Sequence, residues 1–399
     1  MVGIESDIQD TRHSFVFHGK AGAFFLICLG NFLLSVVTLG IYIPWALVKS
    51  RRYIYENMEL NGVRFKYSAT GGAFFCSGLV LILMMIVLSI VCGLISPALS
   101  YVPVLIFMVL MPLIVVKGLR YQAMMTSLNN VRFGFNCRSG QAMWALLGVP
   151  VLMMAASGII LYLLNLILGQ PSSLKGLIVH AFILLVVGLL LLGTINGISY
   201  GKWMQLLGKN SRFGTHTFDI EICLTRCVKM CVIAMLILLP FIIVIGRLLA
   251  PLYISYTLAS GFGKMDNMAQ QVLLTLYQKE IAVSYILYFS GMILCATFMM
   301  AALRNIFING LTLANTLRFR SSITFLGLLM QIVVMTLISL MTMGLAYPWA
   351  KMRYIRYLAN NTVAVGNLDA LELTDSDELN DTGFLAVLSR GIVPAIPFI

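Results

Sequence analysis

Three cysteines at helical spacing are the most chemically suggestive pattern in this chain. Cys223, Cys227 and Cys231 recur every four residues, which places their thiols on one face of a helix, with Met235 one turn further on. Thiolates and thioethers suit a soft metal such as Cu(I). A stripe of small residues on a membrane helix is more often a packing surface, so the sequence favours packing over a metal site here.

The four histidines are scattered along the chain and predict no metal or catalytic cluster. His216 lies near Asp219 and Glu221, in a connector between two apolar runs. The chain also contains no P-loop, no G-x-S-x-G elbow and no H-E-x-x-H helix. We therefore predict a protein that is not an enzyme, with no catalytic residue, cofactor or metal site.

Polar side chains within the apolar runs are amides and hydroxyls, and none of them is acidic. All fifteen Asp and Glu residues fall in the tails, connectors or one outer loop, so proton or cation coupling through a buried carboxylate is disfavoured. Asn31, Asn196 and Gln331 are candidates to line a polar cavity for a solute. Their more frequent role in membrane helices is ordinary hydrogen bonding between helices.

The composition requires elements that cross a membrane. Hydrophobic residues make up 60% of the chain and charged residues 11%, and the mean hydropathy is +0.95. Apolar runs of about 18 to 28 residues are long enough to cross a bilayer as helices. We predict an all-α polytopic membrane protein with about eight transmembrane helices, near residues 22–48, 72–95, 102–119, 141–168, 175–201, 224–250, 281–303 and 323–350.

A basic and aromatic cassette recurs beside these runs as an internal pseudo-repeat. Residues 52–67 and 120–135 align without a gap, each reading R-Y, then an Asn/Leu stretch, then R-F, and weaker copies end at 212–214 and 318–320. The R-F segments alternate polar and aromatic residues after an Asn-Gly or Asn-Asn pair, which predicts short strand-like connectors. Arginines of the cassettes and of the last apolar segment are predicted to anchor the cytoplasmic side: Arg52, Arg64, Arg120, Arg132, Arg212, Arg318 and Arg356.

The distribution of basic residues predicts the orientation. Of the 27 Lys and Arg residues, 23 lie on the cassette side and four (Lys175, Arg247, Lys264 and Lys279) on the other, which places the cassettes in the cytoplasm. Such a face also attracts anionic lipid headgroups, at about 1 kcal/mol for each basic residue near the surface. The lipid bilayer is therefore the expected partner, and nucleic-acid binding is not expected.

The first and last apolar segments carry the same break, 304 residues apart. Thr-Leu-Gly-Ile-Tyr-Ile-Pro-Trp-Ala at 38–46 corresponds to Thr-Met-Gly-Leu-Ala-Tyr-Pro-Trp-Ala at 342–350. Gly frees the backbone and Pro removes an amide donor, so a helix is expected to kink or stop there. Both segments also have basic residues at each end, and a plain spanning helix cannot place both ends on one side. We therefore predict broken helices, either re-entrant or sharply bent; the alternative is one kinked, tilted spanning helix that is an exception to the charge rule. The candidate broken-helix positions are Gly40, Pro44, Trp45, Gly344, Pro348 and Trp349.

The charge pattern divides the chain into four regions. Residues 1–20 form an N-terminal cytoplasmic segment, and 21–365 form the membrane domain, with an outer loop at 251–280. Within the membrane domain, the cassettes occupy residues 49–71, 117–140, 202–222 and 304–321. Residues 366–382 are an acidic linker, and 383–399 are an apolar tail expected at the membrane interface or against the helices.

Several of these segments together resemble the YjgN family of bacterial inner-membrane proteins, over essentially the whole chain. The resemblance rests on the segment at 13–19, the motif at 38–46, the cassette at 60–67, the pair at 117–120 and 125–129, and the ending at 383–391. It implies a location in the inner membrane and a multi-pass architecture. The family has no assigned activity, so the resemblance assigns no functional residue.

Two functions of different classes are compatible with these patterns. The first is a carrier or permeation protein for a small solute or lipid, because broken helices at matching positions are typical of transport sites. The second is a non-catalytic envelope scaffold that responds to the membrane state or to partners on the basic face. A continuous polar cavity would support the first, and a dry, fully packed bundle would support the second.

The predicted orientation can be tested with reporter fusions. A reporter active only in the cytoplasm, fused after Lys66 or Gly134, should be active because both positions lie in basic cassettes. A periplasmic reporter at the same two positions should be inactive. Periplasmic activity at either position would contradict the predicted orientation.

Overall fold

The computed structural model describes residues 11–171, 173–261, 267–314, 316–367, 374–375 and 384–390. Helices form most of the described chain. They are α1 (Ala21–Val37), α2 (Ile43–Glu56), α3 (Gly71–Ile95), α4 (Val102–Met124), α5 (Ser139–Met143), α6 (Val149–Leu168), α7 (Leu174–Asn210), α8 (Leu224–Gly261), α9 (Asn267–Leu276), α10 (Gln278–Gly310), α11 (Phe325–Met341), α12 (Tyr347–Asn360) and α13 (Phe384–Ser389).

Ten short strands close into an antiparallel barrel. They are β1 (Arg12–Phe17), β2 (Met58–Leu60), β3 (Val63–Tyr67), β4 (Thr126–Leu128), β5 (Val131–Phe135), β6 (Ser211–Phe213), β7 (His216–Ile220), β8 (Leu311–Leu313), β9 (Leu317–Ser321) and β10 (Thr362–Gly366). Each strand pairs with its neighbours in sequence, and β1 closes the ring by pairing with both β2 and β10. The expectation of an all-α protein is therefore corrected, because the strand-like connectors join in one closed sheet.

Tight turns create the strand pairs between helices. Asn61 and Gly62 have φ of 49° and 79°, and Asn129 and Asn130 have φ of 51° and 62°. Asn and Gly are the residues that most readily adopt this left-handed conformation, and a two-residue turn of this kind matches the twist of an antiparallel pair. The Asn-Gly and Asn-Asn pairs of the cassettes thus specify the β2–β3 and β4–β5 hairpins.

Apolar side chains fill the interior of the barrel. Five phenylalanines occupy the corresponding middle position of the five strands that leave the barrel, and all are partly buried: Phe15, Phe65, Phe133, Phe218 and Phe319. They pack on a fully buried cluster near the hairpin turns, made of Leu60, Leu128, Val131, Phe213, Leu313, Leu317 and Ala364. An eight-stranded barrel is just wide enough for side chains to fill, so a ten-stranded barrel needs residues as large as Phe in its interior.

Five corresponding backbone hydrogen bonds connect the strands to the helices. In each, the amide of the residue that follows an outgoing strand donates to the carbonyl of the last residue of a helix that enters the barrel, or of the residue directly after that helix. The lengths are between 2.8 and 3.0 Å, and the pairs are His18 to Asn57, Ser68 to Met125, Asn136 to Asn210, Glu221 to Gly310 and Ser322 to Asn361. The helix ends and the barrel are therefore held in a fixed register around the ring.

Each helical segment that connects two strands, here called an excursion, starts and ends at strands that pair with each other. Phe17, before α1, is paired with Met58, after α2, and Ser321, before α11, is paired with Thr362, after α12. The three longer excursions do the same, at the register pairs Tyr67 with Thr126, Phe135 with Ser211 and Ile220 with Leu311. Each excursion must therefore leave the barrel and return to it.

Among the described residues, six helical segments are long and apolar enough to cross a membrane. They are Gly71–Ile95, Pro97–Met124, Ser139–Leu168, Lys175–Asn210, Leu224–Thr257 and Gln278–Gly310. The predicted crossings at 22–48 and 323–350 are instead divided into α1 with α2 and α11 with α12, whose apolar members have only 17 residues each. The expected count of eight continuous spans is thus not confirmed, because both segments break at the Gly-x3-Pro motif.

The described chain forms two compact units. The first consists of Met1–Leu152, Ser199–Cys223 and Leu303–Ile399 and contains the barrel. The second consists of Met153–Ile198 and Leu224–Ala302, and its core includes Leu189, Ala234, Met235 and Cys295. A glycine pair with a spacing of four residues lets α7 approach α8 closely in the second unit. A Cβ at Gly193 would lie 2.7 Å from the Cα of Val232, and one at Gly197 would lie 2.5 Å from the Cα of Val228.

Replacing these glycines should separate the two helices. Gly193→Ala and Gly197→Ala should each destabilise the protein by about 1 to 3 kcal/mol, because the added methyl collides with backbone atoms that cannot rotate away. Gly188→Ala on the same helix is the matched control, since a Cβ there meets no atom within 4 Å. Thermal unfolding in detergent measures the effect. Equal melting temperatures for all three variants would contradict the close approach of α7 and α8.

Candidate functional site

The turn between α1 and α2 ends one helix and starts the next within five residues. Leu39 and Gly40 have φ of 51° and 90°, and the amide of Gly40 donates to the carbonyl of Ser35 at 2.7 Å. This is the Schellman arrangement, in which a left-handed residue lets the chain satisfy the last carbonyls of a helix. The Thr38 hydroxyl donates to the Leu34 carbonyl at 2.7 Å and accepts from the Tyr42 amide at 3.0 Å. Pro44 then lies in the first turn of α2, where the missing amide costs nothing.

The turn between α11 and α12 has the same construction. Met343 and Gly344 have φ of 49° and 86°, and the Gly344 amide donates to Ser339 at 2.7 Å. The Thr342 hydroxyl donates to the Ile338 carbonyl at 2.6 Å and accepts from the Ala346 amide at 3.0 Å. The repeated sequence motif therefore specifies a repeated turn.

In the first pair, α2 runs back along α1 as a helical hairpin. The Asn31 amide on α1 donates to the Ala46 carbonyl and to the Ser50 hydroxyl on α2, both at 3.2 Å. At the other end, the backbone amide of Lys20 donates to the Tyr53 hydroxyl at 2.8 Å. Asn31 is only 6% exposed, so its amide holds the hairpin together in the described structure.

The other two candidate cavity residues have different surroundings. Gln331 is half-buried on α11 in the first unit, and its Oε1 has no hydrogen-bond partner among the described residues. Asn196 is half-buried on α7 in the second unit, between the two glycines that contact α8. A polar role for these residues stays a prediction.

In three of the five excursions, the side chain six residues before the incoming strand donates a hydrogen bond to the backbone at the start of a neighbouring outgoing helix. We call these side chains braces. Arg52 donates through Nη2 to the Ala69 carbonyl at 2.9 Å and through Nε to the Tyr67 carbonyl at 3.2 Å. Asn305 donates to the Ile323 carbonyl at 2.7 Å, and Arg356 donates to the Gly19 carbonyl at 3.1 Å. In all three, one acceptor (Ala69, Ile323 or Gly19) is the second residue after an outgoing strand, so a helix that enters the barrel fixes the start of the helix that leaves it.

The other predicted anchors lie on the strands or at their edges. Arg64, Arg132 and Arg318 are exposed on the outer face of the barrel. Arg64 lies 3.8 Å from the carboxylate of Glu59, and Arg132 lies 3.8 Å from that of Asp375. Arg212 and Arg120 are half-buried on β6 and at the end of α4. Exposed pairs of this kind contribute little to stability, so these arginines mainly keep the outer face of the barrel polar.

An apolar cleft of about 720 Å³ opens between the start of α1 and the turn of the second hairpin. Among the lining side chains only Thr342 and Trp349 carry polar groups, and the Thr342 hydroxyl is already engaged with Ile338 and Ala346. The lining side chains therefore offer a solute one donor, the Trp349 indole N–H. Its lining consists of Ala21, Gly22, Phe25, Met341, Thr342, Met343, Leu345, Ala346 and Trp349.

The corresponding place on the first hairpin is closed. Trp45 packs on Gly71 and Phe75 of α3, with ring centroids 5.3 Å apart, and a Cβ at Gly71 would lie 2.4 Å from the Trp45 ring. Trp349 faces Ala21 and Phe25 in the same way, but the methyl of Ala21 stands where Gly71 has hydrogen. Because Ala replaces Gly, the indole cannot settle on the helix backbone, and the cleft stays open.

Two of the three cysteines in the stripe are part of a packed core, whereas Cys223 is exposed and precedes α8. Cys227 and Cys231 are fully buried, and Cys295 of α10 packs with Ala234 and Met235 in the second unit. Among the described residues, no three His, Cys, Asp or Glu side chains are grouped so that they could hold a metal ion. His216 lies on β7, and it belongs to no group of this kind among the described residues.

The cleft itself was missed from the sequence, although a signal was present. Trp45 and Trp349 each lie thirteen residues before a short strand, and Gly71 and Ala21 each lie four residues after an outgoing strand. Aligning the two ends of the chain on this spacing would have paired Gly71 with Ala21. Trp349 comes close to Ala21 only because β1 pairs with β10 and closes the barrel, and the sequence pattern did not reveal that pairing.

A closed barrel of connectors with six long apolar helices defines a polytopic membrane protein. Its sequence matches the model of a family described as a bacterial protein of unknown function (DUF898) over residues 12–384. The chain belongs to this family, and within it to the YjgN group of inner-membrane proteins.

The relatives match over the full length of both chains. The chain is 44% identical to the inner membrane protein YjgN of Salmonella typhimurium over 400 residues, covering 100% of each protein. It is 37% and 36% identical to the proteins of that name in Escherichia coli O157:H7 and K12, again over 100% of each. No solved structure matches the chain.

The braces predict a measurable loss of stability. Arg356→Ala and Arg52→Ala should each destabilise the protein by about 1 kcal/mol or more, because a carbonyl at the start of a helix loses a charged donor. Arg52→Ala should have the larger effect, since Arg52 donates to two carbonyls. Arg353→Ala, an exposed position on α12 with no described hydrogen bond, is the control. Thermal unfolding in detergent that ranks Arg353→Ala with the other two would contradict the bracing role.

Proposed function

We propose that this protein carries or conducts lipid molecules, with the second hairpin as the site of contact. The observation that supports this function is the open apolar cleft, whose lining side chains carry only two polar groups, the engaged Thr342 hydroxyl and the Trp349 indole N–H. A hydrophilic solute would lose hydration in such a cleft and regain few hydrogen bonds, which is unfavourable. An acyl chain loses nothing of that kind and gains dispersion contacts with Trp349, Phe25 and the methionines.

The charges around the cleft favour an anionic lipid. Lys20 immediately precedes Ala21, and Lys351 follows Trp349 by two residues, so both basic side chains stand at the end of the cleft that is nearer to the barrel. The Lys351 ammonium lies 5.9 Å from the Phe24 ring centroid and 5.6 Å from that of Tyr347. The opposite end, around Met341 and Met343, is apolar and almost fully exposed. An amphiphile with a negative headgroup has the same polarity along its length.

The hairpins support a re-entrant arrangement of both short segments. Because their two ends attach to neighbouring strands, neither α1 with α2 nor α11 with α12 needs to cross the bilayer. We infer six spanning helices and two re-entrant hairpins, with the barrel in the cytoplasm as the basic residues favour. The basic ends of both segments then lie on one side, in agreement with the charge rule.

A second candidate is a scaffold that responds to the state of the membrane. The packed interior of the barrel favours it, since fourteen apolar residues fill the space where a pore would otherwise run. In that case the cleft would hold a lipid as a fixed structural partner. Movement of lipid between leaflets separates the two functions.

Filling the cleft tests the proposed function. A Cβ at Gly22 meets no atom within 4 Å, so Gly22→Leu should occupy the cleft without disturbing the fold. Gly72→Leu is the matched control, because Gly72 also has open space and occupies the corresponding position on α3 outside the cleft. The measurement is dithionite quenching of a fluorescent anionic phospholipid in proteoliposomes, which reports its movement between leaflets.

The proposed function predicts that the protein accelerates this movement over protein-free vesicles. Gly22→Leu should reduce the acceleration at least fivefold, and Gly72→Leu should leave it within twofold of the unmodified protein. A rate equal to that of protein-free vesicles would reject lipid transport. If native mass spectrometry still found a lipid retained by the unmodified protein and lost in Gly22→Leu, the scaffold function would be preferred.

A further inference from the structure

A cluster of arginine, tyrosine and glutamine side chains lies where β3 leaves the barrel, apart from the cleft. Arg51 of α2 donates from Nη1 to the Gln122 Oε1 at 3.2 Å, and the Tyr67 hydroxyl donates to the same oxygen at 2.5 Å. Tyr55 stacks on Tyr67, with ring centroids 5.2 Å apart. Three elements, α2, β3 and α4, therefore place polar groups in one position.

The C-terminal segment adds a second cation to the cluster. The guanidinium of Arg390, which directly follows α13, lies 5.7 Å from the ring centroid of Tyr121, the neighbour of Gln122. The segment is fixed by a buried hydrogen bond of 2.6 Å from the Ser77 hydroxyl on α3 to the Leu388 carbonyl. The C-terminal segment thus places Arg390 at the base of the barrel.

The positive charge of the cluster is not balanced by a described carboxylate. The ion pairs in the described part of the chain use Glu59 and Asp375, and neither Arg51 nor Arg390 has a described acidic partner. The cluster also contains a hydrogen-bond donor without an acceptor: the buried Nε2 of Gln122 has no partner among the described residues. Such a collection of donors and cations without an acceptor is what an anion needs.

The tyrosines reinforce this chemistry because they stay protonated. Burial raises the pKa of Tyr67 to about 12, although the nearby Arg51 lowers it in part. Burial also raises the pKa of Tyr55, again against the effect of Arg51. Both phenols are therefore neutral at physiological pH and act as hydrogen-bond donors, and no hydrogen bond is described for the Tyr55 hydroxyl.

The fold does not require polar residues at this position. Where β1 leaves the barrel, the corresponding places are apolar and form a buried cluster. The correspondence follows from the distance to the adjoining strand: Phe17 for Tyr67, Ile355 for Arg51, Ala359 for Tyr55 and Ile54 for Gln122. Because apolar residues pack well in one copy, the polar set in the other copy costs stability and points to a ligand.

We propose that Arg51, Gln122 and Arg390, with the Tyr55 hydroxyl, bind a phosphate group. Two guanidiniums and several neutral donors suit a tetrahedral oxyanion with many acceptor oxygens. The phosphate belongs either to a phospholipid headgroup or to a free anion. This site does not depend on the proposed lipid transport, since none of its residues lines the cleft.

Calorimetry on the full chain in detergent tests the site with two probes. The first is inorganic phosphate, and the second is a short-chain phosphatidic acid below its critical micelle concentration. We expect saturable binding of at least one probe, and at least a tenfold weaker affinity in both Arg51→Gln and Arg390→Gln. The matched control is Arg353→Gln, an exposed arginine on α12, which should bind within twofold of the unmodified protein.

The pattern of binding identifies the source of the phosphate. Binding of inorganic phosphate that competes with phosphatidic acid indicates a site for the free anion as well as for the headgroup. Binding of phosphatidic acid alone indicates a lipid headgroup site. Tyr55→Phe removes one hydroxyl and keeps the packing, and it should weaken binding about threefold. This variant tests the site even if the arginine variants fail to fold. Absence of binding by both probes, or unchanged affinity in both arginine variants, would overturn the proposal.

Gly22→Leu separates this proposal from the proposed function. The substitution lies on α1 in the cleft, so it should abolish lipid movement and leave phosphate binding unchanged. A loss of lipid movement with intact phosphate binding supports two separate sites. Loss of phosphate binding in Gly22→Leu would contradict the independence of the two sites and reject the assignment to Arg51 and Arg390.

Discussion

Closure of the barrel between β1 and β10 is the constraint on which the structure depends. An open sheet of ten short strands would leave two edges with unpaired amides and carbonyls, and closure alone removes both. Each strand has only three to six residues, so no pair is stable by itself. The ring holds because the five bonds from strand exits to helix ends fix the helices at the same time as the strands.

That closure also determines what the helices can do. A chain that must return to the next strand after every excursion can cross the bilayer twice or turn back within it. Three excursions contain pairs of described helices long and apolar enough to cross a membrane, and the two that include the Gly-x3-Pro motif fold as helical hairpins. The short hairpins stand beside the barrel through braces such as Arg52 and Arg356. Both candidate sites lie at hairpins of this kind, the cleft beside α12 and the arginine cluster beside α2.

Both proposed sites lie where corresponding positions of the fold hold different residues. Gly71 lets Trp45 pack against a helix backbone, whereas Ala21 keeps Trp349 away and leaves a cleft. Phe17 and Ile355 fill a junction with apolar groups, whereas Tyr67 and Arg51 fill the corresponding junction with donors. Corresponding junctions of the same barrel thus hold different sets of side chains.

The sequence by itself determined the membrane class, the strand-like cassettes and the two broken segments. Those features are local: apolar length sets a crossing, Asn61-Gly62 sets a turn, and Gly40 with Pro44 ends and restarts a helix. Only the tertiary structure decided that the cassettes close into one barrel, that α2 returns along α1, and that Arg390 reaches Tyr121. The ring closure and the Arg390 contact join residues hundreds of positions apart, whereas the return of α2 along α1 joins residues as near as Asn31 and Ser50. In each case no local propensity encodes which strand or helix will be the partner. The open cleft shows the same limit, since Ala21 matters only once Trp349 has been brought against it.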